Sequence, residues 1–227
     1  MAAVIAGGAA APKLASGGAP HLPPISAVSL ADKVAHAHAA GLSGTVSLSA
    51  NLGLPAGIGD IANAGESFNI TSLLSGTHRF DVWFAGGGRQ RVSLTKGAGE
   101  TDVIRDGGQL WVYQSATQKV THLSIGSGGP TARRAADALV KRLAPDTTIQ
   151  VGPSVEVAGR SCYTLRLRPT PGTPDARDST ISRIDVAVDA ANGVPLRFEV
   201  FSTTQRRPAL ALGFVGSVSF GTPGRGM

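Results

Sequence analysis

The side chains able to do chemistry are few, and their spacing works against them. Cys162 is the single cysteine, which forbids an internal disulfide and excludes a multi-cysteine metal site. Beside Tyr163 in an apolar run, it reads as a small buried hydrophobe. His36 and His38 stand two apart in a helical stretch, so they face different ways, whereas a metal pair on a helix needs spacings of three or four. His78 and His122 fall at strand ends or on polar faces, and for His122 the sequence shows no evident partner. Asp185 and Asp189 share the polar side of a strand; four residues of extended chain separate them by about 13 Å, too far for a carboxylate dyad. Gly-x-Ser-x-Gly, His-Glu-x-x-His, Cys-x-x-Cys and the phosphate loop are all missing. Gly86, Gly87 and Gly88 form a turn that no helix start follows, so no anion site is completed there. The expectation is a protein that is not an enzyme, with no cofactor and no metal.

What must position any site is a β-rich framework. Residues 79–84, 89–95, 101–106, 109–113 and 119–123 are five short β-like runs. Gly86 to Gly88, Gly97-Ala98-Gly99 and Asp106-Gly107-Gly108 separate the first four, the spacing of an up-and-down antiparallel meander. Phe80, Val82 and Phe84 alternate with Arg79, Asp81 and Trp83, and Val92 and Leu94 oppose Arg91, Ser93 and Thr95. That period of two gives each strand one buried side and one wet side.

The 227 residues are enough for one β-rich domain or two small ones. Charged residues make up 16%, and 30 Gly with 14 Pro suit frequent turns. A formal net charge of +6 comes from 16 Arg and 5 Lys. The arginines are spread singly over strands, without the clustering and interleaved aromatics that a nucleic-acid face needs, so no nucleic-acid partner is expected. Attraction to anionic lipid head groups fits the charge better.

Residues 1–24 open with a short apolar run and continue as Gly, Ala and Pro. They read as the remnant of an export signal, or as a disordered tail. Residues 25–221 are expected to form a single domain and 222–227 a tail. A helix is expected over 29–41, with Ser29 as cap and Gly41 as stop. The first strand is expected over 44–51, then a long connection over 52–76 with a short helix near 72–74; the sequon Asn69-Ile70-Thr71 within it is given no weight. Pro130 and Pro145 bracket an amphipathic helix over 131–144. Strands resume at 148–151 and at 155–168, broken near Ala158-Gly159, then at 180–189, 194–201 and 209–220; Asn192-Gly193 marks a tight hairpin. About ten antiparallel strands and two or three helices imply a mainly β fold of the α+β kind. So few helices cannot plate so wide a sheet. The sheet must curl into a half-open β-barrel with the helices as a lid, which tends to enclose a cavity.

The run Asp106-Gly107-Gly108-Gln109-Leu110-Trp111-Val112-Tyr113 resembles the Asp-Gly-x-x-Leu-Trp-x-Tyr hairpin of the LolA-like lipoprotein-carrier family. That family includes LppX/LprG-type lipid carriers and the N-terminal domain of RseB. Gly76-Thr77-His78-Arg79-Phe80-Asp81-Val82-Trp83 is similar to the strand before that hairpin, and Leu42-Ser43-Gly44-Thr45-Val46 to the entry after the first helix. The resemblance covers about two thirds of the chain; the second half follows the family only in pattern. It implies an exported carrier holding acyl chains of lipids or lipoproteins in an apolar cavity. Membrane proteins that deliver or receive cargo, and peripheral membrane contact, are its expected partners. The expected lining is Phe80, Val82, Phe84, Val92, Leu94, Trp111, Tyr113, Leu165, Val186, Leu196, Phe198 and Phe214. Trp83, Trp111 and Tyr113 could equally be ordinary sheet aromatics. Two other functions remain open: an RseB-like sensor regulating an anti-sigma factor, or a structural envelope domain with a filled barrel. The lack of room after Phe220 for a further domain of the RseB kind favours the carrier.

Overall fold

A computed structural model describes residues 19–52, 75–86, 88–96, 99–125, 147–173, 176–177 and 179–221. The expected helices over 131–144 and near 72–74, the sequon, residues 1–18 and the tail 222–227 lie outside the described residues.

One helix and eleven strands make up the described fold: α1 (Ala27–Ala35), β1 (Leu42–Asn51), β2 (Ser75–Phe84), β3 (Gln90–Lys96), β4 (Gly99–Asp106), β5 (Gln109–Gln114), β6 (Lys119–Ser124), β7 (Thr147–Val157), β8 (Arg160–Pro169), β9 (Ile181–Asp189), β10 (Pro195–Ser202) and β11 (Pro208–Phe220). All strands join one sheet in the order β6-β5-β4-β3-β2-β1-β11-β10-β9-β8-β7, and every neighbouring pair is antiparallel. Two meanders, β1–β6 and β7–β11, are thus fused where the first strand pairs with the last. β6 and β7 are the two edges, so the sheet curls without closing into a barrel.

Register decides which side chains share a face. Val92 pairs with Val82, Phe80 with Val46, Leu48 with Leu212, Leu212 with Phe198, Phe198 with Val186, and Val186 with Leu165. Because alternation along each strand is strict between these pairs, they carry one apolar face across seven strands' width. Arg79, Asp81, Arg91, Arg166, Asp185 and Glu199 fall on the other face. Gly44 lies on the apolar side of β1, and a Cβ there would meet the Phe214 ring at 3.1 Å and the Ser217 carbonyl oxygen at 2.8 Å. Its bare backbone is what lets β11 bulge between Gly44 and Thr45 and lay Phe214 across β1.

α1 covers one end of the apolar face. Leu30 is fully buried against Tyr163, Leu165 and Val188, with Ile25, Val34 and Leu167 around it. The helix runs from Ala27 to Ala35, not over 29–41. The cap is Ser26, whose Oγ accepts the Ser29 N–H at 3.0 Å, while Ser29 lies inside the first turn. The preceding segment is tied down by Tyr163, whose hydroxyl donates to the Pro23 carbonyl at 2.9 Å.

Two other expectations change. β7 is a single strand through Pro153, where the sequence suggested a break; Pro153 falls in a bulge between Gly152 and Val155 on an edge strand, where a missing N–H costs nothing. The β9–β10 turn is longer than a two-residue Asn-Gly hairpin. Asp189 and Val194 still pair through the Asp189 N–H at 2.9 Å, and the Gly193 N–H donates to the Asp189 carbonyl at 2.9 Å, leaving four residues between. The Asp189 carboxylate organises the loop by accepting the N–H groups of Ala191 (2.8 Å) and Asn192 (3.1 Å).

Gly193 has φ +76°, and a Cβ on it would sit 2.5 Å from the Lys33 carbonyl oxygen of α1. A left-handed backbone and a blocked Cβ act together here. Gly193→Ala is expected to cost about 2 kcal/mol, read as a lower urea midpoint at unchanged slope.

Candidate functional site

Where α1 stops, no other described helix covers the apolar face. A cavity of about 510 Å³ lies over β1, β2, β3, β10 and β11, walled by Leu42, Val46, Phe80, Val82, Phe84, Val92, Pro195, Leu196, Arg197, Phe198, Leu212, Gly213 and Phe214. Among the described residues of that wall Arg197 alone is charged, and it alternates with Phe198 toward the opposite face. The size falls within the roughly 300–1,000 Å³ of small-ligand sites.

Of the expected lining, Phe80, Val82, Phe84, Val92, Leu196, Phe198 and Phe214 are brought together around this cavity. Leu165 and Val186 share the same face but pack under α1. Leu94 alternates onto that face one step beyond the wall. Trp111 and Tyr113 lie on the opposite face: Trp111 pairs with Ile104, Ile104 with Arg91 and Arg91 with Trp83, all on the polar side. Leu42, Val46 and Leu212 join the wall unforeseen. Val46 and Leu212 sit in runs whose apolar side was already legible, so alternation alone would have found them.

The opposite face is organised by charge pairs, not by arginines standing singly. Arg166 makes a bidentate contact to Asp185, 2.7 Å for both hydrogen bonds, and Arg183 adds a third at 3.2 Å. Arg160 holds Asp189 at 2.6 and 3.2 Å, and Arg91 holds Asp102 at 3.0 and 2.9 Å. Arg183 also lies 3.5 Å over the Phe201 ring. A smaller cavity of about 100 Å³ sits among Arg166, Asp185, Arg197 and Glu199 on this side. His122 is not isolated as the sequence suggested: it stacks on Trp111, ring centroids 5.0 Å apart, and its Nε2 lies 2.7 Å from Gln109 Oε1.

Cys162 is fully buried. Burial pushes its thiol up to about 11, helped by the nearby Asp189 charge, so at neutral pH it is not a thiolate nucleophile. Among the described residues no group of three or more His, Cys, Asp or Glu side chains could hold a metal ion, and no helix is long and apolar enough to cross a membrane.

No family model matches the chain, and no curated protein matches it. Solved structures do. The chain is similar to MucB at 18% identity over 88% of this chain and 60% of that one, with a TM-score of 0.54. The Pseudomonas aeruginosa MucA/MucB complex gives 16% identity over 88% and 59%, with a TM-score of 0.55. A LolA superfamily protein from Nitrosomonas europaea is matched at 14% identity over 87% and 94%, but its TM-score of 0.30 carries no weight. The fold is therefore a curled antiparallel sheet of the kind seen in MucB. The chain spans about three fifths of the length of the MucB chains it matches.

The charge pairs set the response to acid. Burial alone would raise the Asp185 and Asp189 carboxyls, but hydrogen bonds outweigh it. Those from Arg166 and Arg183 hold Asp185 below the ordinary carboxylate value, and those from Arg160, Asn192 and Ala191 do the same for Asp189. A carboxylate depressed in the fold stabilises fully above its unfolded pKa of about 4, and the contribution is lost as pH falls through the folded value. Urea midpoints should therefore drop below about pH 4, and the drop should be shallower in Asp185→Asn/Asp189→Asn, from a lower starting midpoint.

Proposed function

We propose that this protein is an exported, non-enzymatic carrier that takes acyl chains of lipids or lipoproteins into the cavity between α1 and the β2–β3 side of the sheet. The observation that supports this most is the wall itself: aliphatic and phenyl side chains from five strands. Each buried methylene contributes roughly 0.8 kcal/mol, so a 16-carbon chain gains on the order of 10 kcal/mol before ordering costs. A cavity open on one side keeps that gain reversible. An open cavity also speaks against the filled structural barrel.

The likeness to MucB supports a second reading, an RseB-like envelope sensor that holds a protein partner; the MucA/MucB complex shows MucB itself in such an assembly. Acyl binding would serve either role, since the cavity lies within the shared fold.

Leu212 is the residue to change, because it lines the cavity while remaining 41% exposed, so a carboxylate there leaves folding nearly intact. Leu212→Glu is expected to weaken a fluorescent fatty acid such as cis-parinaric acid by at least about tenfold, roughly 1.4 kcal/mol, with an unchanged melting curve. Native mass spectrometry of protein taken from its own envelope should show a co-purified acyl species. An empty protein that does not saturate with the probe overturns the proposal; a co-purified membrane-tethered protein with no lipid favours the sensor.

A further inference from the structure

The cavity has a size that can be counted in carbons, in two independent ways. At about 510 Å³, and with roughly 30 Å³ for a group as large as a water molecule or a methylene, the space takes about 17 carbons. Its reach gives a similar count. The wall runs from Val92 on β3 to Phe198 on β10, four strand spacings in the sheet order, or about 19 Å. An all-trans chain of roughly 1.5 Å bonds advances about 1.3 Å per carbon, so about 15 carbons cross that width.

The face is closed beyond those limits on the side of α1. In register with Phe198 on β9 stands Val186, which already packs against the Leu30 cluster. The floor is closed as well: Val82 is 6% and Leu196 2% exposed, and the Phe214 ring covers Gly44. A second chain of 16 carbons would need about 480 Å³ more. Nor does the wall offer a head group a partner. Arg197, the charged residue among those described there, alternates toward the opposite face, where Glu199 lies 3.7 Å from it.

We propose that the cavity takes one acyl chain of up to about 16 carbons and leaves the head group in water, so that its cargo is a single-chain amphiphile, a fatty acid or a lysolipid. The inference rests on the carrier reading and narrows it. Up to the limit each added methylene leaves water, and affinity rises roughly fourfold per carbon. Past the limit the extra carbons stay wet and affinity levels off. A two-chain lipid could seat one chain only with the other exposed, so it stays in its bilayer.

The test displaces cis-parinaric acid from the delipidated full chain, using saturated fatty acids of about 10 to about 20 carbons and lysophosphatidylcholines of the same chain lengths. Affinity should climb to about 16 carbons and then change less than about twofold, alike in both series. Native mass spectrometry should count one chain per protein, and the mass of the species co-purified from the envelope tells fatty acid from lysolipid. Val46→Phe exchanges an isopropyl group of the wall for a phenyl ring, roughly 50 Å³ more, and should move the break down by about two carbons. Val92→Phe, at the β3 end, should do the same and serves if Val46→Phe does not fold. Four results overturn the proposal and leave the carrier reading intact: affinity still rising at the longest chains, a diacyl lipid or two chains in one protein, a preference above about tenfold between equal-length fatty acid and lysolipid, or a break that the folded variants do not move. Displacement at no chain length overturns both.

Discussion

The register of one strand keeps the apolar face whole. β1 is hydrogen-bonded along nearly its full length on both sides, from Leu42 opposite Phe220 to Ala50 opposite Leu210, and from Leu42 opposite Phe84 to Asn51 opposite Ser75. It is the only link in the described sheet between the early and late meanders. A slip of one residue there would turn Val46 and Leu48 outward relative to one neighbour and break the face in two. Gly44 and the Phe214 ring over it favour one register by shape, and Thr45, which donates to Asp81 at 2.6 Å across the polar side, favours it by hydrogen bonding. This pairing also joins parts of the chain most distant in sequence, so it belongs among the slowest contacts to form.

On the far side of the sheet the arginines pair with buried carboxylates beside a second apolar cluster that includes Val157, Cys162 and Ala187. Asp185, Asp189 and Asp102 are all buried or nearly so, yet each faces a guanidinium in bidentate geometry. Breaking such a pair would leave a carboxylate dehydrated and uncompensated, a larger penalty than the pair's own net worth. The pairs therefore specify sidedness more than they add stability: turning β9 over would carry Asp185 and Asp189 onto the apolar face.

Most of this was legible because strands with one wet side write their orientation as alternation. Phe80, Val82 and Phe84 against Arg79 and Asp81 leave no choice of face. β5 does: Leu110 and Val112 alternate with Trp111 and Tyr113, and both sets are apolar. Hydrophobicity cannot choose between them; pairing of Trp111 with Ile104 and of Tyr113 with Asp102 puts both aromatics on the face away from the cavity. The β9–β10 loop was misjudged for a related reason. Asn192-Gly193 is a strong local turn signal, but the Asp189 carboxylate, three and four residues earlier, reorganised the loop around its own acceptor. Chemistry supplied by a side chain outranked the dipeptide's backbone preference.

Dimensions then explain why the cavity falls where it does. Nine helical residues extend about 14 Å, whereas eleven strands at their usual spacing stretch to roughly 48 Å. α1 can plate only the β8–β9 end of the sheet, and there Leu30, Tyr163, Leu165 and Val188 close into a dry core. Beyond Phe198 the same face continues to Val92 with no contact to the helix, and the side chains become large and flat: Phe80, Phe84, Phe198 and Phe214. Phenyl rings keep an unfilled surface from collapsing, because they have few rotamers in which to fold inward. The helix and the cavity thus divide a single apolar surface between them, with Gly193 packed against Lys33 in the last turn of α1.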